Sequence, residues 1–139
     1  MSKRPLLLVL PILLAACAQT LEGPLRGPLV AEGNPVRFGT STEVAGLIVT
    51  PMRVVEDSRC PINARCVWAG RITVETMVDG PGWRDTLPLT LGEPQVVGGY
   101  RLALVSAEPG RLTTEDAPEA EHYRFVYEGS AESGRLTLQ

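Results

Sequence analysis

The chain has 139 residues, with three Cys, one His and a formal net charge of −3, and an isoelectric point near 5.2. That length suits one domain, and 44% hydrophobic against 21% charged residues is the balance of a globular chain, not a disordered one. Collagen-like, coiled-coil and polytopic membrane classes are excluded. Acidity disfavours a nucleic-acid binder, whose affinity needs clustered positive charge.

Lys3 and Arg4 open the chain as a short positive segment, and Leu6 to Ala16 is apolar apart from Pro11. A helix of that run would span about 16 Å, roughly half of a bilayer core, which suits a signal peptide and not a membrane span. Leu14-Ala15-Ala16-Cys17 follows and resembles the lipobox of bacterial lipoproteins. The resemblance implies a diacylglycerol thioether on Cys17, cleavage before it, a signal peptide over 1–16, and palmitate-type acylation of the new N-terminus. The chemistry suits those residues. Small Ala15 and Ala16 admit the peptidase, and only a thiol carries the thioether. Ala18 in place of Asp, by resemblance to enterobacterial sorting rules, points to the periplasmic face of the outer membrane. The alternative is an ordinary secretory peptide with an incidental Cys.

The mature chain then holds eleven Arg, no Lys and sixteen acids, a net charge of −5. That acidity favours solubility and leaves membrane attachment to the lipid. Two or three acyl chains, at about 0.8 kcal/mol per buried methylene, anchor permanently. Gly23-Pro24, Gly27-Pro28 and Gly33-Asn34-Pro35 break regular structure, so residues 17–35 read as a lipidated terminus and flexible tether, and 36–139 as the folded domain.

Within 36–139 the expected strands are Val36–Gly39, Val44–Glu56 with a bulge or break at Pro51, and a run through Ile72–Val78. In that run Trp68, Gly70, Ile72, Val74, Thr76 and Val78 alternate onto one face. Asp79-Gly80-Pro81-Gly82 predicts a hairpin into Trp83–Leu91, whose Pro88 marks an edge strand. Gln95–Val97, Tyr100–Ala107, His122–Glu128 and Arg135–Leu138 complete the set. The expected fold is all-β, a small antiparallel sandwich or barrel of about seven strands. Tyr123, Phe125 and Tyr127 share a face, as core or as an exposed aromatic strip for glycan or partner contact. Glu108 to Glu121 reads as a solvated acidic loop whose spacing matches no calcium motif.

With Cys17 taken by lipid, Cys60 and Cys66 remain, and an oxidising envelope makes a disulfide their default. Asp57-Ser58-Arg59-Cys60-Pro61 and Cys66-Val67-Trp68-Ala69-Gly70 together resemble a motif of small, largely uncharacterised bacterial exported proteins and lipoproteins. Gly98-Gly99-Tyr100-Arg101-Leu102-Ala103-Leu104 and Pro109 extend the likeness over roughly 36–109. It implies a β-rich domain and no established activity. Trp68, two residues after Cys66, is expected to pack on the disulfide, with Asp57 and Arg59 as a turn acid and an exposed partner, pairing with Arg65 or Glu56.

Three functional readings compete for this loop. A redox pair is disfavoured by spacing other than Cys-x-x-Cys and by the lack of a helix N-terminus nearby. A zinc site lacks further soft ligands. A recognition loop presenting Arg59, Arg65 and Trp68 gains from preorganisation. His122 stands in an acidic stretch and no second His can complete a triad, so the chain reads as non-catalytic, without cofactor or metal; carboxylate-only chemistry would need a pair in a deep cleft. The expected role is a lipid-anchored envelope module that binds an envelope protein or glycan and no nucleic acid. The alternative is an inhibitor of exported proteases or hydrolases acting through the Cys60–Cys66 loop.

Overall fold

A computed structural model describes residues 28–111, 113 and 118–132. The expected signal segment, lipobox, lipidated Cys17 and strand Arg135–Leu138 lie outside the described residues. Two antiparallel sheets form a sandwich. The first is a meander of β1 (Thr42–Val44), β2 (Leu47–Asp57), β3 (Ile72–Gly80) and β4 (Trp83–Thr90), paired in that order. The second pairs β5 (Gln95–Val97), β6 (Tyr100–Glu108) and β7 (Arg124–Ala131). It is not a closed barrel.

Period-two alternation explains which faces meet. On β3, Ile72, Val74, Thr76 and Val78 are all fully buried. Leu102 and Leu104 of β6, with Phe125 and Tyr127 of β7, fill the core from the other sheet. The aromatic strip is therefore core: Tyr123, Phe125 and Tyr127 are buried, and Tyr123 stacks on Phe125 with ring centroids 5.6 Å apart. Tyr127 brings a hydroxyl into that core and shares a hydrogen bond of 3.1 Å with the Thr76 hydroxyl on the opposite sheet. Burial raises its pKa well above the ordinary phenol value.

The expected strand Val44–Glu56 is two strands. Ala45 (φ 52°) and Gly46 (φ 86°) make a two-residue turn with both residues left-handed, the geometry that matches strand twist in a hairpin. Alanine rarely takes that conformation, which is why the turn leaves so weak a mark in the sequence. Downstream, β2 bulges where expected: Pro51 pairs with Thr76 and Arg53 with Glu75, leaving Met52 unpaired, and a second shift falls at Val55. The expected strand Val36–Gly39 reduces to a single bridge between Val36 and Phe125. His122 belongs to a short 3-10 turn, Ala120–His122, and β7 begins two residues later.

Residues 30–35, which Gly/Pro punctuation assigns to the tether, lie against the first sheet. Val30 bridges Thr42 in parallel, and Glu32 accepts from the backbone amides of Ala45 and Gly129. The hairpin expected at Asp79–Gly82 forms, and a second lies at Gly98-Gly99. Pro81-Gly82 turns β3 into β4, which is an edge strand with Pro88 opposite Glu75, and Gly98-Gly99 turns β5 into β6. The indole of Trp83 lies across both turns. A Cβ on Gly80 would sit 2.1 Å from its ring and one on Gly98 2.2 Å, so only glycine lets one side chain join a turn of each sheet.

Candidate recognition loop

β2 and β3 are joined by residues 58–71, which carry the cysteine motif. The strand ladder continues into the loop, with Ser58 N–H donating to Arg71 O (2.8 Å) and Cys60 N–H to Ala69 O (2.7 Å). The two sides run so close that a Cβ on Gly70 would lie 1.8 Å from the Ser58 carbonyl oxygen, and Gly70 has φ +68°. The glycine of the motif is therefore a backbone requirement. Beyond it the Cys60–Cys66 disulfide closes a small ring, and Ala64 N–H donates to Pro61 O (3.0 Å) inside it.

The connection between β6 and β7 holds this ring in place. Ile62 N–H donates to Arg111 O (2.8 Å), and Asn63 exchanges two hydrogen bonds with Thr113. Below them lies a polar knot that sequence spacing misjudges. Asp57 and Arg59 are not a turn acid and a solvated partner but a two-point ion pair, both bonds 2.8 Å, with side chains only 5% and 14% exposed. Neither Arg65 nor Glu56 joins it. Glu56 instead pairs with Arg71 at 2.8 Å and accepts from the Ser58 hydroxyl. Arg59 also donates to Ala107 O and Pro109 O at the end of β6, Arg111 donates to Asp57 O, and the Tyr123 hydroxyl donates to the Asp57 carboxylate (2.9 Å). Burial alone would raise the Asp57 pKa, but the Arg59 and Tyr123 hydrogen bonds outweigh it and hold the carboxyl below its usual range. Burial and the same carboxylate push Tyr123 up to about 12.

Of the three expected recognition residues, Arg59 therefore faces inward and seats the loop. Arg65 and Trp68 face solvent. Trp68 does not pack on the disulfide. Its side chain is 77% exposed, and with Val67 at 96% and Ile62 at 75% it makes up the three most exposed large hydrophobics of the described residues. The reason is local: the left-handed Gly70 bends the chain before β3 begins at Ile72, so the alternation that runs through Ile72–Val78 does not extend back to position 68. Arg111 and the Tyr123 hydroxyl were invisible as partners because they stand 54 and 66 residues from Asp57.

Two other features lie near this end of the sandwich. A mostly apolar cavity of about 510 Å3 is walled by Phe38, Met52, Val54 and Tyr123, with Asp57 at its edge. The Asp57 carboxylate there is already taken by Arg59 and Tyr123. Glu119, Glu121 and His122 each bring one ligand atom within 4.8 Å of the others, all three exposed, an arrangement common without an ion. No family model matches the chain, and no curated protein or solved structure was found to be similar to it.

Proposed function

We propose that the chain is a lipid-anchored protein of the bacterial cell envelope, a non-catalytic interaction module whose contact surface is the disulfide-closed loop 60–70. The observation that supports this most is the contrast inside the loop. Its backbone and its polar base are fastened by the disulfide, Gly70, Arg59 and Asn63, while Val67 and Trp68 project into solvent. A rigid platform presenting a tryptophan has paid its ordering entropy before contact. The anchor rests on Leu14-Ala15-Ala16-Cys17 and the envelope address on the signal segment before it. The non-catalytic reading rests on the single His and on an Asp57 carboxylate committed to Arg59 and Tyr123.

A photo-reactive phenylalanine analogue at position 68, expressed in cells, tests the contact. Cross-linked adducts are expected from position 68 and not from Val105, an exposed control on β6. Equal adducts from both, or none from 68, would remove the loop from the reading. The intact mass of the membrane-extracted protein, expected to begin at Cys17 with added acyl mass, tests the anchor separately.

One observation favours inhibition of exported hydrolases as a second reading. Arg65, inside the ring between the cysteines, is exposed and makes no ion pair among the described residues. An Arg65→Ala variant that folds normally and loses inhibition of an exported protease would support it; absence of inhibition by the parent protein would count against it.

A further inference from the structure

We propose that the partner of this loop is the bilayer surface itself, with Trp68, Val67 and Ile62 entering the headgroup region while Arg65 stays at the phosphates. The inference rests on reading 60–70 as the contact surface and Cys17 as lipidated, and it names what the surface meets.

The first argument is composition at the tip. A tryptophan beside aliphatic side chains suits a membrane interface, where the ring buries its apolar body and keeps its N–H wet. Exposed Met52 and Val55 on β2, Val96 on β5 and Val105 on β6 are spread over three strands, whereas Ile62, Val67 and Trp68 belong to one loop, Ile62 inside the disulfide ring and the other two directly after it.

Charge is the second argument. The chain is acidic as a whole, yet between Ser58 and Val74 the charged residues are Arg59, Arg65 and Arg71. The acids that flank the loop on β2, Glu56 and Asp57, are held by Arg71 and Arg59. Arg65 is exposed and makes no ion pair among the described residues, which suits it to meet a lipid phosphate. Glu119 and Glu121 are exposed on the β6–β7 connection, so the apolar side chains carry most of the attraction and the charge a smaller share.

Reach is the third. Val30 enters the first sheet beside Thr42, which pairs with Val49. From Val49 to Asp57 the strand covers eight residues, about 26 Å, so the loop projects from the opposite end to the tether. Thirteen residues separate Cys17 from Val30, a contour of at most about 45 Å. An anchor at Cys17 and a loop at the same bilayer are therefore compatible, with the sandwich lying along the surface. The anchor holds the loop at high local concentration, so a weak contact suffices.

The test uses the mature lipidated chain in vesicles of phosphatidylethanolamine and phosphatidylglycerol, with and without brominated acyl chains. Tryptophan emission is compared with that of a Trp68→Ala variant, so that the difference reports position 68 and half-buried Trp83 cancels. Bromolipid is expected to remove roughly half of the Trp68 emission, with aqueous iodide losing access to it, and the variant is expected to keep the parent's circular dichroism. Full access to iodide with no bromolipid quenching would overturn the proposal. If cross-links from position 68 to a protein persist in that case, the loop remains the contact surface and only the bilayer is wrong as its partner. A chain without lipid at Cys17 removes the anchor and overturns both.

Discussion

At Asp57 the two side-chain bonds from Arg59 and one from Tyr123 converge on a single carboxylate, and this decides what the residue does. With the Arg59 backbone amide also donating to Oδ1 at 3.4 Å, both oxygens are engaged by the protein itself, and the charge is needed where it is. Asp57→Asn leaves Arg59 mostly buried without its counter-charge. The expected loss is about 2–3 kcal/mol in urea unfolding, below the range for a fully buried pair because solvent reaches part of the site. The same change brings the Tyr123 hydroxyl down from about 12 toward its ordinary value, which an ultraviolet phenolate titration reads directly. Gly70 sets a second residue-scale constraint. A methyl group there meets the Ser58 carbonyl at 1.8 Å on a left-handed backbone, so Gly70→Ala is expected to cost at least about 2 kcal/mol and to separate the loop's two sides.

Among the elements, the 58–71 loop and the two sheets differ in what supports them. The ring has a covalent closure over a short span, for which chain entropy gives about 2 kcal/mol. Reduction is expected to lower the unfolding free energy measured in urea by that amount while far-ultraviolet circular dichroism stays unchanged, because the strands keep their own ladders. How much of these elements could be read in advance follows from what is local. Ile72–Val78, Pro81-Gly82, Gly98-Gly99, the bulge at Pro51 and the edge character of β4 all follow from alternation or backbone chemistry within a few residues. The Ala45-Gly46 turn did not, since alanine is not a left-handed residue by preference. Arg59 and Trp68 were misplaced for a related reason. Their fates depend on Ala107, Pro109 and the bend at Gly70, and alternation counted along one strand contains none of these. Of the recognition surface, the sequence disclosed the ring and not which of its side chains face outward.

For the molecule as a whole, pH acts on the knot that joins loop and sheets. Asp57 has a folded pKa below its unfolded value, so its contribution is present above about pH 4 and is lost as pH falls through the lower folded value. Tyr123 is the mirror case. Its pKa is raised from 10 to about 12, so its contribution is complete below pH 10 and fades as pH climbs toward 12. Stability against urea is expected to be flat between these limbs, with the acid limb reduced in Asp57→Asn. Hydrogen exchange checks the same knot. The Ile62 and Thr113 amides, which donate across the loop base, are expected to share one opening free energy, lowered in Asp57→Asn, while the core amides of Val74 and Leu102 accelerate only by as much as global stability falls.

The distances along the chain between these partners set an order of assembly. Cys60 and Cys66 are six residues apart, but the groups that seat their ring, Ala107, Pro109, Arg111 and Thr113, come about fifty residues later. If the chain is exported from its N-terminus, as proposed, both thiols would reach the oxidising side well before the seat exists. On that proposal the ring is expected to close on an unfolded chain by short-range encounter, and the long-range contacts, slower to form, to close around a loop already made. Oxidation would then come before docking, with the cysteines needing no folded scaffold to find each other.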